Sequence, residues 1–249
     1  MMQRESDNYV AIESGKELVH TDTYNLMLPR SACPHCGHQI TALENIPVLS
    51  YLFIRGKCTG CKAPISPRYP LVELLTGALS GYMVWRFGSG LVGMGAVFFV
   101  WLLIAMTFID ADTQLLPDDL TYLLLWSGLL INLNGSFTSL SSAVIGAAAG
   151  YLSLWSIYWL FKLATGKEGM GYGDFKLLAA LGAWMGWSML PIIILLSSLV
   201  GALVGISLML FTKMSKNKPI PFGPYLAAAG LIALIWGQQL SQTYFGLMA

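Results

Sequence analysis

Residues 91–110 read LVGMGAVFFVWLLIAMTFID, nineteen residues without a charge closed by Asp110. A bilayer span needs about 20 mostly apolar residues, with a range of roughly 17–25. This run meets that requirement. Working outward, similar apolar segments cover about 71–88, 119–133, 140–162, 174–190, 191–212 and 222–243. Turn residues separate several of them: Gly88-Ser89-Gly90, Asn134-Gly135-Ser136, and Pro219 with Pro221. The 190/191 break is marked only by Gly186-Trp187-Ser188 and Pro191.

Composition supports a membrane reading. Of 249 residues, 55% are hydrophobic and 11% charged, whereas a soluble domain carries about 25% charged residues. So few charges cannot cover a water-facing exterior. A disordered chain and a collagen are excluded on the same grounds. A net charge of +1 gives no bulk field for polyanions, so no nucleic-acid partner is expected. Residues 1–70 hold Arg4, Lys16, Arg30, Arg55, Lys57, Lys62 and Arg68, half of the fourteen basic residues. The expected architecture is all-α. A small polar domain occupies 1–70, and a polytopic membrane helix bundle of about seven spans occupies 71–249.

The basic residues also orient the bundle. With 1–70 in the cytosol, alternation places the loops near 110–119, 162–174 and 213–221 on the same side. Lys162, Lys167, Lys176, Lys213, Lys216 and Lys218 then join the first seven. Only Arg86 lies outward, in agreement with the positive-inside rule. The C-terminus is expected outside. Gly146-x-x-x-Gly150 and Gly201-x-x-x-Gly205 read as close helix packing, and the eight Trp as interfacial or core residues.

All four cysteines lie in Cys33-x-x-Cys36 and Cys58-x-x-Cys61. Two such pairs can form a tetrahedral thiolate site for one structural Zn²⁺. Gly37 and Gly60 sit where a knuckle turn needs backbone freedom. Two disulfides are the rival reading, which a cytosolic location disfavours. His35 and His38 read as solvated residues. A polar domain of this size buries little core, so a metal would help it fold.

Ionisable groups within spans are expensive, at about 2.5–3.5 kcal/mol each on insertion scales. Residues 71–249 contain Glu73, Asp110, Asp112, Asp118, Asp119, Glu168 and Asp174 as acids. Asp110 ends one span. Asp174 follows Gly169-Met-Gly171-Tyr-Gly173 and begins another. Two carboxyls sharing a site hold one proton between them and can activate water against a peptide carbonyl. The residues alone do not identify which acids pair. Asp118 and Asp119 read as caps after Pro117, and Asp112 as a loop or capping residue. Glu168 is expected near Lys162 or Lys167, and Glu73 near a positive helix end. The glycine run follows a helix rather than a strand, so it lacks the context of a nucleotide loop. A proton-coupled transporter or a non-catalytic assembly subunit remains open on these grounds.

Taken together, several motifs resemble the type IV prepilin peptidases, bifunctional leader peptidase/N-methyltransferases of bacterial inner membranes. The motifs are Cys33-Pro-His-Cys-Gly37, Asn45-Ile-Pro-Val-Leu-Ser-Tyr51, Arg55-Gly-Lys-Cys58 and Arg68-Tyr-Pro-Leu-Val-Glu73. Ile109-Asp-Ala-Asp112 with Leu115-Leu-Pro-Asp118, Gly171-Tyr-Gly-Asp174-Phe-Lys176 and Pro221-Phe-Gly-Pro-Tyr225 complete the set. The resemblance implies an eight-span aspartic protease of the Gly-x-Gly-Asp class, with Asp110 and Asp174 catalytic. It implies that Cys33, Cys36, Cys58 and Cys61 hold zinc in a zinc-ribbon-like domain.

The implied substrates are prepilins or type II secretion pseudopilins, cut after a glycine at the cytosolic membrane face. S-adenosylmethionine then methylates the new N-terminal amine. Asp112, Asp118 or Asp119 would attract the basic leader. Members usually begin with a further apolar span. This chain begins Met1-Met-Gln-Arg-Glu-Ser-Asp, so seven of the eight spans are expected in it.

Overall fold

The computed structural model describes residues 30–167, 169–211 and 221–246, with Ala11, Ile12, Ser14 and Thr21 before them. Arg4, Lys16, Lys213, Lys216, Lys218 and Pro219, and Glu168 with its expected pairing, lie outside the described residues. The chain divides into two compact units, Met1–Leu75 and Thr76–Ala249. Every regular element among the described residues is helical. Isolated bridges join Ala32 to Gln39 and Lys57 to Pro64.

The first unit holds α1, Leu49–Phe53, and the start of α2, Arg68–Phe87. Val48, the residue before α1, has φ 61°, a conformation a β-branched side chain rarely adopts. Its N–H donates to Glu73 Oε2 at 2.8 Å. Glu73 therefore meets the N-terminal end of α1, while the first turn of its own helix α2 holds no acid.

In the second unit, α3 is Leu91–Thr113, α4 Asp118–Ile131, α5 Leu140–Thr165, α6 Tyr172–Met185, α7 Leu190–Phe211 and α8 Gly223–Gly246. Each apolar segment read from the sequence contains one helix. By length and composition, Leu91–Thr113, Leu140–Thr165 and Trp187–Ser207 can cross a membrane, and Gly223–Gly237 is a shorter apolar helix. Helices α4 and α6 have only 14 residues each, about 21 Å at 1.5 Å per residue, against about 30 Å of hydrocarbon. The 190/191 break falls slightly earlier. Helix α6 stops at Met185, Gly186 takes φ 82°, and a 3-10 turn over Trp187–Met189 leads into α7. Pro191 then sits in the first turn of α7, where its missing N–H costs little.

Helix α6 is the central pillar. From Leu177 to Met185 every residue is buried, because α4, α5 and α8 all pack on it. The Gly146-x-x-x-Gly150 spacing forms the α5–α6 seam, as its residues suggest. A Cβ on Gly150 would lie 2.7 Å from the Leu178 carbonyl oxygen, and one on Gly146 would strike the Gly182 carbonyl. Gly201 instead faces the ring of Tyr225. Of the eight Trp, only Trp184 is in the core. It packs on Phe99 and Phe137 and donates to the Leu124 carbonyl at 2.8 Å.

A buried amide fixes the far end of this pillar. Asn132 Nδ2 donates to the carbonyls of Ala183 and Trp184, both at 2.9 Å. Its Oδ1 accepts from the N–H groups of Phe137 and Thr138 at 3.0 and 3.1 Å. The two carbonyls are among the last of α6, which have no partner inside the helix. Asn132→Ala strands four backbone groups. It is expected to lower stability by roughly 2–4 kcal/mol, read as a lower melting temperature in detergent. An unchanged melting curve would contradict the staple.

Candidate active site and candidate metal centre

The two cysteine pairs sit in two copies of one turn. Cys33 N–H donates to the His38 carbonyl, Gly37 N–H to the Cys33 carbonyl and Ile40 N–H to the Ser31 carbonyl. The second copy repeats this set 25 residues later, with Cys58 to Ala63, Lys62 to Cys58 and Ile65 to Gly56. The left-handed position of the first turn is Gly37, at φ 71°, as the sequence suggests. In the second turn it is Lys62, at φ 61°, and not Gly60. Gly60 is needed for close approach instead. A Cβ there would lie 3.2 Å from His38 Cβ and 3.4 Å from Cys36 Sγ.

The four sulfurs lie within 4.8 Å of one another. Cys33 and Cys61 are 3.8 Å apart and Cys36 and Cys58 3.9 Å. Tetrahedral thiolates about 2.3 Å from a central ion are spaced by about 3.8 Å, whereas a disulfide needs about 2.05 Å. All four thiols are free, so the donor set fits one four-coordinate metal ion. The turn amides favour thiolates unevenly. The His35 amide, then that of Cys36, brings the Cys33 thiol down to about 7. The Cys61 amide lowers Cys58. At Cys36 the His38 amide also favours the thiolate. The Cys61 sulfur, burial and the other two sulfurs outweigh it and push the thiol up to about 11. A cation at the centre would relieve that mutual opposition.

His38 is half-buried and has side-chain partners. Its Nε2 lies 3.2 Å from Glu44 Oε1 and 2.9 Å from Thr59 Oγ1. The Thr59 hydroxyl also donates to Glu44, and the Thr41 N–H donates to it at 2.7 Å. These donors, the Thr59 hydroxyl first, hold the Glu44 carboxyl down to about 2. His35 is exposed, as expected. The Glu44 contacts had a local signal, because Thr41-x-x-Glu44 has the residue pattern and reciprocal bonds of a capping box, here closing a turn rather than starting a helix. Thr59 had none.

The second constellation lies in the larger unit. Asp110, near the end of α3, is 4% exposed, and Asp174, in the first turn of α6, is 7% exposed. Their carboxylates interact electrostatically, and the Asp174 N–H donates to the carbonyl of Gly171, the residue capping α6, at 3.3 Å. Asp110 Oδ2 accepts the Gly223 N–H at 3.0 Å. Leu116 lies against both glycines beside them. A Cβ on Gly173 would lie 2.7 Å from Leu116 Cβ, and one on Gly223 would lie 3.3 Å from Leu116 Cδ1.

The structure thus gathers Asp110 and Asp174 from helix ends 64 residues apart in sequence. Asp112, Asp118 and Asp119 are exposed. Asp118 is not the cap of α4. That residue is Pro117, with no side-chain bond, and Asp118 and Asp119 occupy the first turn. There they favour the positive helix end. Asp118 Oδ1, on one of the acids expected to draw a leader, also accepts from Lys176 Nζ at 2.6 Å. Gly223 was missed as a site residue because its partner lies 113 positions away.

Comparison with known proteins follows the same division. Residues 97–206 match the type IV leader peptidase family, and residues 8–87 match the bacterial peptidase A24 N-terminal domain. The chain is 64% identical over 228 residues to a prepilin leader peptidase/N-methyltransferase of Aeromonas hydrophila, covering 92% of this chain and 79% of that one. It is 60% identical over 222 residues to the Pseudomonas aeruginosa protein of the same name, covering 89% and 77%. A Dichelobacter nodosus protein, again of that name, is 51% identical over 249 residues, covering 98% and 86%. No solved structure matches. Both units find counterparts in one family, and the chain belongs to the type IV leader peptidase family.

Proposed function

We propose that this chain removes the basic leader of prepilins or pseudopilins and then methylates the new N-terminus. Two buried aspartates brought together from α3 and α6 carry the reading. Asp110 and Asp174 share one proton. The ionised carboxylate takes a proton from water, while the protonated one polarises the scissile carbonyl. The water oxygen adds to the carbonyl carbon. When the C–N bond breaks, a carboxyl returns the proton to the leaving amine. A low-exposure site excludes bulk water, which strengthens these electrostatic interactions.

Cys33, Cys36, Cys58 and Cys61 hold one structural zinc. Four thiolates close its coordination, so it supplies folding energy and no open position for substrate. S-adenosylmethionine supplies the methyl group. Seven spans sit in the bacterial inner membrane, with the cysteine domain and the aspartates toward the cytosol, in accord with the Lys and Arg distribution. A substrate with a polar leader and an apolar segment after it presents its junction at that level. The transporter and assembly-subunit readings are set aside by the family relationship.

Coexpression with a test prepilin is expected to give a shorter product by gel shift. Mass spectrometry is expected to find one added methyl group on its N-terminus. A full-length, unmethylated prepilin alongside well-inserted enzyme would overturn the proposal.

A further inference from the structure

We infer that the first amide of α8, the Gly223 N–H, is the positioning element that fixes the Asp110 carboxylate for cleavage. The inference rests on the peptidase reading above and concerns a residue outside the dyad. Phe222 opens the helix, because its carbonyl accepts from the N–H groups of Tyr225 and Leu226, both at 3.1 Å. Gly223 is then the first helical residue. Amides in a first turn have no partner within the helix. Pro224 has no N–H to offer, and the Tyr225 N–H turns back to Phe222. The Gly223 N–H points instead at Asp110 Oδ2, 3.0 Å away.

The glycine is required by space as well. A Cβ at 223 would lie 2.6 Å from Asp110 Oδ2 and 3.1 Å from Asp110 Cγ. Any side chain there displaces the carboxylate or breaks the bond. The wall offers no easy retreat, because Leu116 stands 3.3 Å from the same point and also fills the space beside Gly173. Helix α8 packs on both α3 and α6, so its first amide is held by a rigid element that contacts the helices carrying both acids. A donor fixed in this way leaves Asp110 Oδ1 for water and sets the carboxylate before substrate arrives. A hydrogen bond to a charged group, when removed, is worth roughly 10–10²-fold.

The test uses the full chain, purified in detergent, with two substrates: a test prepilin, and a synthetic peptide with a free N-terminal phenylalanine. Gly223→Ala displaces the Asp110 carboxylate and is expected to lower kcat for cleavage by ~10²-fold. KM for the prepilin and methylation of the pre-cut peptide should stay near the wild-type values, and the melting temperature should fall by only the few degrees that one crowded methyl group costs. A second variant carries glycolic acid at position 223, introduced by nonsense suppression. It removes the N–H without adding a Cβ and is expected to lose ~10-fold or more in the same kcat. Normal cleavage by either variant would overturn the inference. So would an equal loss of cleavage and methylation, or a large drop in melting temperature, because each would mark a merely structural glycine. A wild-type chain that fails to cut would remove the underlying peptidase reading instead, visibly and before any variant is compared.

Discussion

Asp174→Asn is expected to stop leader removal, with kcat/KM falling by ~10³-fold or more, and Asp110→Asn is expected to do the same. Asparagine keeps the size of the side chain but can neither take a proton from water nor hold one for the carbonyl. The local bonds survive the change. The Gly223 N–H still finds an oxygen acceptor at position 110, and the bond from the N–H of residue 174 to the Gly171 carbonyl does not involve the side chain. Both variants should therefore insert and melt like the wild type. Measured in membranes with a coexpressed prepilin, processing by either variant at the normal rate would remove that residue from the dyad.

The second large effect belongs to the cysteines. The wild-type chain is expected to carry one zinc, and Cys58→Ser to lose it together with the fold of the first unit. Cys58 is the buried member of the four, so serine there leaves a hydroxyl in place of a thiolate with little solvent to help it. Structural zinc contributes about 10–16 kcal/mol of apparent binding free energy in small zinc peptides. Between residues 30 and 67 the unit has only the short helix α1 and two isolated bridges. Metal analysis and limited proteolysis of the purified chain measure the outcome. Full zinc occupancy in Cys58→Ser, or two disulfides in the wild type, would contradict the assignment.

Much of this arrangement is legible in order along the chain. The uncharged run ending at Asp110 reads as a helix from composition alone, and the spacing of the cysteines reads as a metal site. Both are local patterns. Gly37 was legible because its turn uses a glycine. The matching position in the second turn is Lys62, which nothing in its residue type marks as left-handed. Gly60 drew the wrong explanation because its constraint comes from His38 and Cys36, across the turn pair.

The same physics explains the other departures. His38 reads as solvated until Thr59 is brought beside it from 21 positions away. Asp118 reads as a cap until Lys176 arrives from α6. Helix α6 ends where Gly186 takes φ 82°, and α4 gives way to a 3-10 turn at Asn132–Asn134, whose Asn132 bonds across to the end of α6. Gly223 carries no local sign of its bond, since Asp110 lies on another helix. The charge-paired Asp118 and the amide-bound Asp110 have the same chemistry as isolated residues and differ only in what the fold places against them.

The central claim is that Asp110 and Asp174 act as one proton-sharing unit. A cycle of Asp110→Asn, Asp174→Asn and the double variant tests it, with residual cleavage followed over long single-turnover reactions. The account predicts that the double variant is no slower than the slower single variant, because the first substitution already disables the pair. Losses that multiply in the double variant would show two aspartates working independently and would contradict it.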